Sequence, residues 1–329
     1  MRPMRLAHCS DLHLLSHDGA RWLDLANKRW IGAMNLLSNR SRHYHVEAFD
    51  DMVLDLNALG VDHVLCTGDV TNLALRQEFA FARGKFDRLT LGARDITVIP
   101  GNHDAYVAEG VPLFAEMFGE LATSDPGWEW TAREAIETRD ETHGGASGPA
   151  WPAQRGQEGP LSIDDLRWPI VKLRGELAII GTSTSRHTPW FTAYGELGAG
   201  QLVRLARALL DPRLADKVRV VAIHHPPAGK RARSKIRGLR DHAAFAKVIA
   251  ETGADLIVHG HEHRDMTETL PGPVGPVPVR GVASGTYCHN KPDRTARYRI
   301  FDIIDGRIVS DHVRVWDRDR RAFESQPAI

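Results

Sequence analysis

The chain has 329 residues, 42% of them hydrophobic, and 42 Lys plus Arg balance 42 Asp plus Glu for a formal net charge of zero. That length supplies one large α/β core or two modest ones, and the balanced charge excludes a global field of the kind that wraps nucleic acid. Cys9, Cys66 and Cys288 form neither a CxxC pair nor a disulfide framework, so reduced thiols are expected.

Taken in chain order, the first residues contain no apolar secretory core, and no apolar run is long enough to cross a bilayer. A cytoplasmic location is expected. Short β-branched or leucine-rich runs predict strands at 6–9, 63–66, 96–99, 177–180, 218–223 and 256–258, and helical spacing predicts helices at 46–59, 73–91, 200–210 and 241–251. Strands alternating with helices predict an α/β fold with buried, largely parallel strands. Beyond 263, the runs at 277–282, 297–304 and 307–315 read as consecutive strands, which predicts a second, more antiparallel sheet. Two segments interrupt the rhythm: an apolar and basic stretch at 22–45, and a stretch rich in Gly, Pro and Trp at 123–160. The expected organisation is a single domain over 1–329 with a cap-like insertion at 15–45 and an irregular insertion at 123–160.

Several of the 17 histidines fall in polar clusters just past predicted strands. These clusters are Asp11 and His13 in SDLH, Asp69 in TGDVTN, Asn102 and His103 in GNHD, His224 in HHPP, and His261 and His263 in GHEH. In open α/β sheets the carboxyl ends of strands converge on a crevice, where residues distant in sequence meet. A mixed set of carboxylate, amide and imidazole ligands suits a borderline divalent cation such as Mn, Fe, Co or Zn. Two residues apart in an extended segment, Asp11 and His13 are expected to emerge on one side and grip the same ion, and His261 and His263 repeat that spacing. Gly68, Gly101 and Gly260 stand beside ligands, where a missing Cβ permits close backbone approach. Taken singly, each motif also reads as a surface loop or a hydrogen-bonded turn. Five in order, each behind a strand, read as a site.

This series, DLH, GD, GNHD, HHPP and GHEH, resembles the calcineurin-like metallophosphoesterase superfamily from Leu6 to about His263. The resemblance implies a four-layer αββα sandwich with two divalent metal ions at the carboxyl ends of its strands. One ion would be held by Asp11, His13, Asp69 and His263, the other by Asp69, Asn102, His224 and His261, with Asp69 shared. His103 matches the family's active-site histidine beside the leaving group, and Asp104 is expected to fix its tautomer. His225 and His259 are expected to be structural or to lie outside the ligand set. The implied activity is hydrolysis of a phosphodiester or pyrophosphate bond by metal-activated hydroxide, with no serine or cysteine nucleophile.

Within the superfamily, Val70-Thr71-Asn72 and Asp104 stand where serine/threonine protein phosphatases carry arginine and GNHE, and the neutral charge balance is not expected of a DNA-repair exonuclease with its basic extension. The motif set is most similar to class III cyclic-nucleotide and small-diester phosphodiesterases. Segment 21–45 is a basic amphipathic stretch that suits peripheral contact with a membrane or acyl chain at the inner membrane, or packing as a cap helix. With the basic loop 230–235, it gives some resemblance to UDP-2,3-diacylglucosamine pyrophosphatases. A non-catalytic scaffold with the same fold is the reading from another class, and such members lose ligands. Trp128, Trp130, Trp190 and Tyr194 read either as lining of the substrate cleft or as packing.

Overall fold

The computed structural model describes residues 2–15, 43–131, 133–134, 167–289 and 294–327. The first sheet begins with β1 (Met4–Cys9), β2 (His63–Cys66) and β3 (Ile96–Val98), which run parallel. Helices α1 (Val46–Leu59), α2 (Arg76–Phe86) and α3 (Gly110–Phe118) accompany them. The second sheet comprises β4 (Ile170–Arg174), β5 (Leu177–Gly181), β6 (Val218–Ala222), β7 (Leu256–His259), β8 (Met266–Leu270) and β9 (Val277–Gly281). Its chain-order companions are α4 (Ala199–Leu209), the short α5 (Gly229–Ala232) and α6 (His242–Thr252). Strands β10 (Arg297–Ile304), β11 (Arg307–Asp317) and β12 (Ala322–Pro327) close the described chain.

Each sheet has six strands, in the orders β12-β11-β10-β1-β2-β3 and β4-β5-β6-β7-β9-β8. Alternation along β5, β6 and β7 explains the stacking of layers. Ile179, Val220 and Val258 belong to the core shared with β1, β2 and the aromatic residues Phe49, Phe79, Phe86 and Phe118. Their neighbours Ile180, Val221 and Ile257 point the other way, into a second core with Leu202 and Leu205 of α4 and Phe245 and Val248 of α6. Strands buried on both faces require the continuous β-branched runs seen in the sequence. The result is the four-layer arrangement of two mixed sheets flanked by helices.

The late strands correct one expectation. They do not form a sheet of their own: β9 lies parallel to β7 in the second sheet, and β10 lies antiparallel to β1 in the first. β10 is buried along nearly its whole length, so it fits beside β1, covered on both faces, better than in an exposed antiparallel sheet. The predicted helix 73–91 also shortens to α2, Arg76–Phe86. Ala74 sits in the left-handed region at φ 54. The buried Glu78 carboxylate accepts from Leu73 N (2.9 Å) and Leu75 N (3.2 Å), which starts the helix later than its apolar spacing suggests. Cys9 and Cys66 are buried free thiols.

Candidate metal centre

The parallel pairing of β1 and β2 continues beyond the strands, because Asp11 N–H donates to the Gly68 carbonyl and His13 N–H to the Asp69 carbonyl, both at 2.9 Å. These loop residues do not stay extended. Asp11 (φ 53), His13 (φ 43), Asp69 (φ 53), His261 (φ 71) and His263 (φ 51) all occupy the left-handed region. The spacing of the two Asp-x-His and His-x-His pairs therefore works through left-handed turns, against the expected extended geometry. Each such residue costs about 1–2 kcal/mol relative to a right-handed conformation. Strain gathered on five candidate ligands marks a constrained site.

Close backbone approach makes those turns possible. Gly68 lies at φ 99, and a Cβ there would strike the Gly101 backbone. Conversely, a Cβ on Gly101 would collide with the amide nitrogen and carboxylate of Asp69. Gly101→Ala is expected to displace Asp69 and lower metal content and turnover together by about tenfold or more, read by elemental analysis and an assay on the same preparation. Unchanged values would show that the loops do not need this contact.

The side chains converge from both sheets. Asp11 Oδ1 lies 3.2 Å from His263 Nε2 and 4.0 Å from His13 Nε2. The two imidazole Nε2 atoms of His13 and His263 are 3.1 Å apart. Asp69 Oδ2 lies 3.9 Å from His13 Nε2 on one side and 3.4 Å from His224 Nε2 on the other. His224 Nε2 is 3.1 Å from Asn102 Oδ1, which in turn lies 2.7 Å from His261 Nδ1. His261 N–H donates to Asp11 Oδ2 at 2.8 Å, joining the loop after β7 of the second sheet to the loop after β1 of the first. The seven residues thus form one cradle, with Asp69 between its halves.

The cradle fits cations. His224 donates from Nδ1 to the Thr67 carbonyl (2.7 Å), and its Nε2 lies against two oxygens, Asn102 Oδ1 and Asp69 Oδ2. Oxygens gathered around one nitrogen in a buried site require positive charge there, from a proton on the ring or from a bound cation. Buried Asp11 Oδ1 and His261 Nε2 make no hydrogen bond among the described residues. Three overlapping sets, Asp11/His13/His263, His13/Asp69/His103 and Asp69/His224/His261, each hold ligand atoms within 4.8 Å of one another. The donors are those of a borderline divalent ion.

Electrostatics agree with this layout. Burial works against the charged carboxylates, yet the facing His263 ring holds Asp11, and the His224 ring holds Asp69, below the usual carboxylate range. Burial likewise opposes the His224 imidazolium, but the Asp69 carboxylate beside it pushes the ring up to about 9. Burial and the adjacent His224 drive His225 down to about 3, and its ring bonds Thr184 Oγ1 (2.7 Å) and the Ala193 carbonyl (3.1 Å). Burial brings His259 down to about 4, with Nδ1 3.0 Å from the Gly260 carbonyl. Both rings sit behind the cradle.

His103 lies at the half-buried edge. Its N–H donates to Asp69 Oδ1 (2.7 Å), its ring meets His13 edge-on at 4.7 Å between centroids, and its Nδ1 is 2.7 Å from the Asn72 carbonyl. The tautomer is therefore set by Asn72, correcting the role expected for Asp104. The Asp104 carboxylate instead accepts from Gly101 N, Thr71 N and Thr71 Oγ1, each at 2.9 Å, and ties the Asp69 loop to the Asn102 loop. Burial, followed by the neighbouring Asp69 carboxylate, pushes Asp104 up to about 7. Asn72 was missed from the sequence although it stands inside TGDVTN; its Nδ2 also donates to the His13 carbonyl at 2.7 Å.

An aromatic rim was missed as well. Tyr44 packs 4.9 Å from the His13 ring, Tyr106 stacks on His103 at 5.8 Å, and Tyr287 lies 6.1 Å from His263. Tyr106 stands two residues past GNHD, whereas Tyr44 and Tyr287 carry no such sequence signal. Trp128 packs in the α4 core under Arg213 (3.6 Å), and Trp130 donates to the Pro169 carbonyl. Tyr194 lies under Arg240 (3.3 Å), and Trp190 is exposed.

A two-sheet sandwich whose strand ends deliver carboxylate, amide and imidazole ligands to one cradle defines a metallohydrolase of the phosphoesterase class. The model of the calcineurin-like phosphoesterase family matches residues 4–265, and the chain belongs to that family. The family and the clustered Asp and His groups together indicate a phosphoester hydrolase with a dinuclear metal site. Among solved structures, a dimetal phosphatase from Danio rerio is similar over 100% of both chains, with TM-score 0.52 and 12% identity. A purple acid phosphatase from yellow lupin (Lupinus luteus) seeds is similar over 97% of this chain and 55% of its own, with TM-score 0.52 and 10% identity. These likenesses establish the fold. No curated protein matches the chain.

Proposed function

We propose that the chain is a dinuclear metal-dependent phosphodiesterase that hydrolyses a phosphodiester or pyrophosphate bond in a small molecule or nucleotide. The observation that carries this reading is the convergence of Asp11, His13, Asp69, Asn102, His224, His261 and His263 with Asp69 between the two halves. One cation would be held by Asp11, His13, Asp69 and His263, and the other by Asp69, Asn102, His224 and His261. When bound, such a pair supplies a nucleophile at neutral pH and positive charge to the phosphoryl oxygens. The protein's own residues do the rest. Asn72 occupies His103 Nδ1, so Nε2 is the nitrogen that carries the exchangeable proton toward a departing oxygen. Asp104 holds Asp69 and Asn102 in register through the Thr71 and Gly101 amides. The filled and convergent ligand set argues against a non-catalytic scaffold.

One feature favours UDP-2,3-diacylglucosamine as a second candidate substrate. The exposed basic loop 230–235 reaches the cradle through Arg231, whose Nε is 3.3 Å from Oε2 of Glu262, the residue between His261 and His263. The amphipathic stretch 21–45 lies outside the described residues except for 43–45. No described helix is long and apolar enough to cross a membrane.

A panel on Mn-reconstituted protein tests the proposal: bis(p-nitrophenyl) phosphate, p-nitrophenyl phosphate, cyclic AMP and UDP-2,3-diacylglucosamine. Faster turnover of the diesters than of the monoester is expected. Preference for the monoester would sink the phosphodiesterase reading, and selective cleavage of the lipid nucleotide would favour the second.

A further inference from the structure

Two loops beyond the second sheet build a surface that phosphate-ester hydrolysis does not require. After β5 the chain exposes Trp190 (56% accessible) and Phe191 (79%), and after β6 it exposes Ile236 (56%). These are three of the seven large apolar side chains exposed among the described residues. The two loops that carry them run side by side, because Ala193 N–H donates to the Ile236 carbonyl (2.9 Å) and Gly195 N–H to the Gly238 carbonyl (3.0 Å). Exposed apolar residues that cluster carry information that scattered ones do not.

Charge surrounds the patch. Residues 228–240 hold Lys230, Arg231, Arg233, Lys235, Arg237 and Arg240 and no acidic residue, in a chain whose net charge is zero. All six are exposed. Arg231 is paired with Glu262 and Arg240 covers Tyr194, whereas Lys230, Arg233, Lys235 and Arg237 have no ion-pair partner among the described residues.

We propose that this face docks on an anionic lipid surface, with Trp190, Phe191 and Ile236 entering the interfacial layer and Lys230, Arg233, Lys235 and Arg237 meeting lipid phosphates. Aromatic and aliphatic side chains at the centre of a cationic field match the two attractions that hold peripheral proteins to acidic bilayers. A single-stranded nucleic acid fits less well, since Ile236 has no π face on which a base could stack. A second copy fits less well too: a two-fold contact would bring one basic loop against another. Arg231 links the docking face to the cradle's edge, so a docked molecule carries its hydrolytic site beside the headgroups.

Co-sedimentation of the Mn-loaded full chain with phosphatidylcholine vesicles, and with vesicles of phosphatidylcholine plus phosphatidylglycerol, tests this directly. The acidic vesicles are expected to bind at least about tenfold more protein, and salt to release it. Two double variants, Trp190→Ser with Phe191→Ser and Arg233→Gln with Lys235→Gln, are each expected to lower binding by on the order of tenfold with unchanged melting temperature, because all four side chains are exposed. Equal binding to both vesicle types, no binding, or full binding by either variant would overturn the proposal. Retention of a labelled single-stranded oligonucleotide without vesicle binding would assign the face to nucleic acid instead. A concentration-dependent dimer lost in the Trp190/Phe191 variant, again without vesicle binding, would assign it to self-association. Binding is read without turnover, so this outcome is independent of the substrate panel.

Discussion

Asp69→Ala is expected to abolish hydrolysis, with a loss of roughly a thousandfold or more, and to leave the chain folded. Oδ2 of Asp69 is the oxygen that faces both His13 and His224, at 3.9 and 3.4 Å. Removing it takes a candidate ligand from both halves of the cradle at once. The cost to the fold is small by comparison: the one main-chain bond lost is His103 N–H to Oδ1, and a strained crowd of buried carboxylates loses a member. Asp69→Asn preserves an acceptor for His103 and serves as the folding control. The readouts are metal content by elemental analysis, turnover of bis(p-nitrophenyl) phosphate and the melting temperature of the metal-free protein. A variant that keeps its metal and its rate would remove Asp69 from the centre of the site.

His103→Gln is expected to lower turnover by about 10²–10³-fold with metal content nearly unchanged. The reason is positional: His103 stands at the edge of the cradle, with its ring anchored by the Asn72 carbonyl and stacked on Tyr106. A group that hands a proton to the departing oxygen matters most when that oxygen is a poor leaving group. The loss is therefore expected to be large for an ester of an aliphatic alcohol and small for a p-nitrophenyl ester. Equal losses for both esters, accompanied by falling metal content, would make His103 a ligand.

Much of this was legible in the sequence because each candidate ligand follows a short, largely apolar strand run that ends just before it. His63–Cys66 before Asp69 and Leu256–His259 before His261 are the clearest cases. Less was legible where the deciding partner is remote. The strand Arg297–Ile304 reads as the start of a new sheet, and only its pairing with Met4–Cys9, nearly 300 positions away, places it in the first sheet. Edge strands such as Met266–Leu270, with its polar alternation MTETL, give almost no hydrophobic signal. At the site, residue types were legible and backbone geometry was not: nothing in Asp11-x-His13 announces two left-handed residues. Asp104 next to His103 suggested contact between neighbours, yet the carboxylate turns away to the Thr71 and Gly101 amides, and a carbonyl from Asn72 takes its place.

Electron paramagnetic resonance of wild-type protein reconstituted with Mn(II) addresses the central claim most directly. Two ions sharing the Asp69 carboxylate are expected to give the multiline spectrum of a spin-coupled pair at two equivalents per chain, collapsing to uncoupled signals in Asp69→Ala. Saturation at one equivalent with a mononuclear six-line spectrum would contradict a shared two-cation cradle.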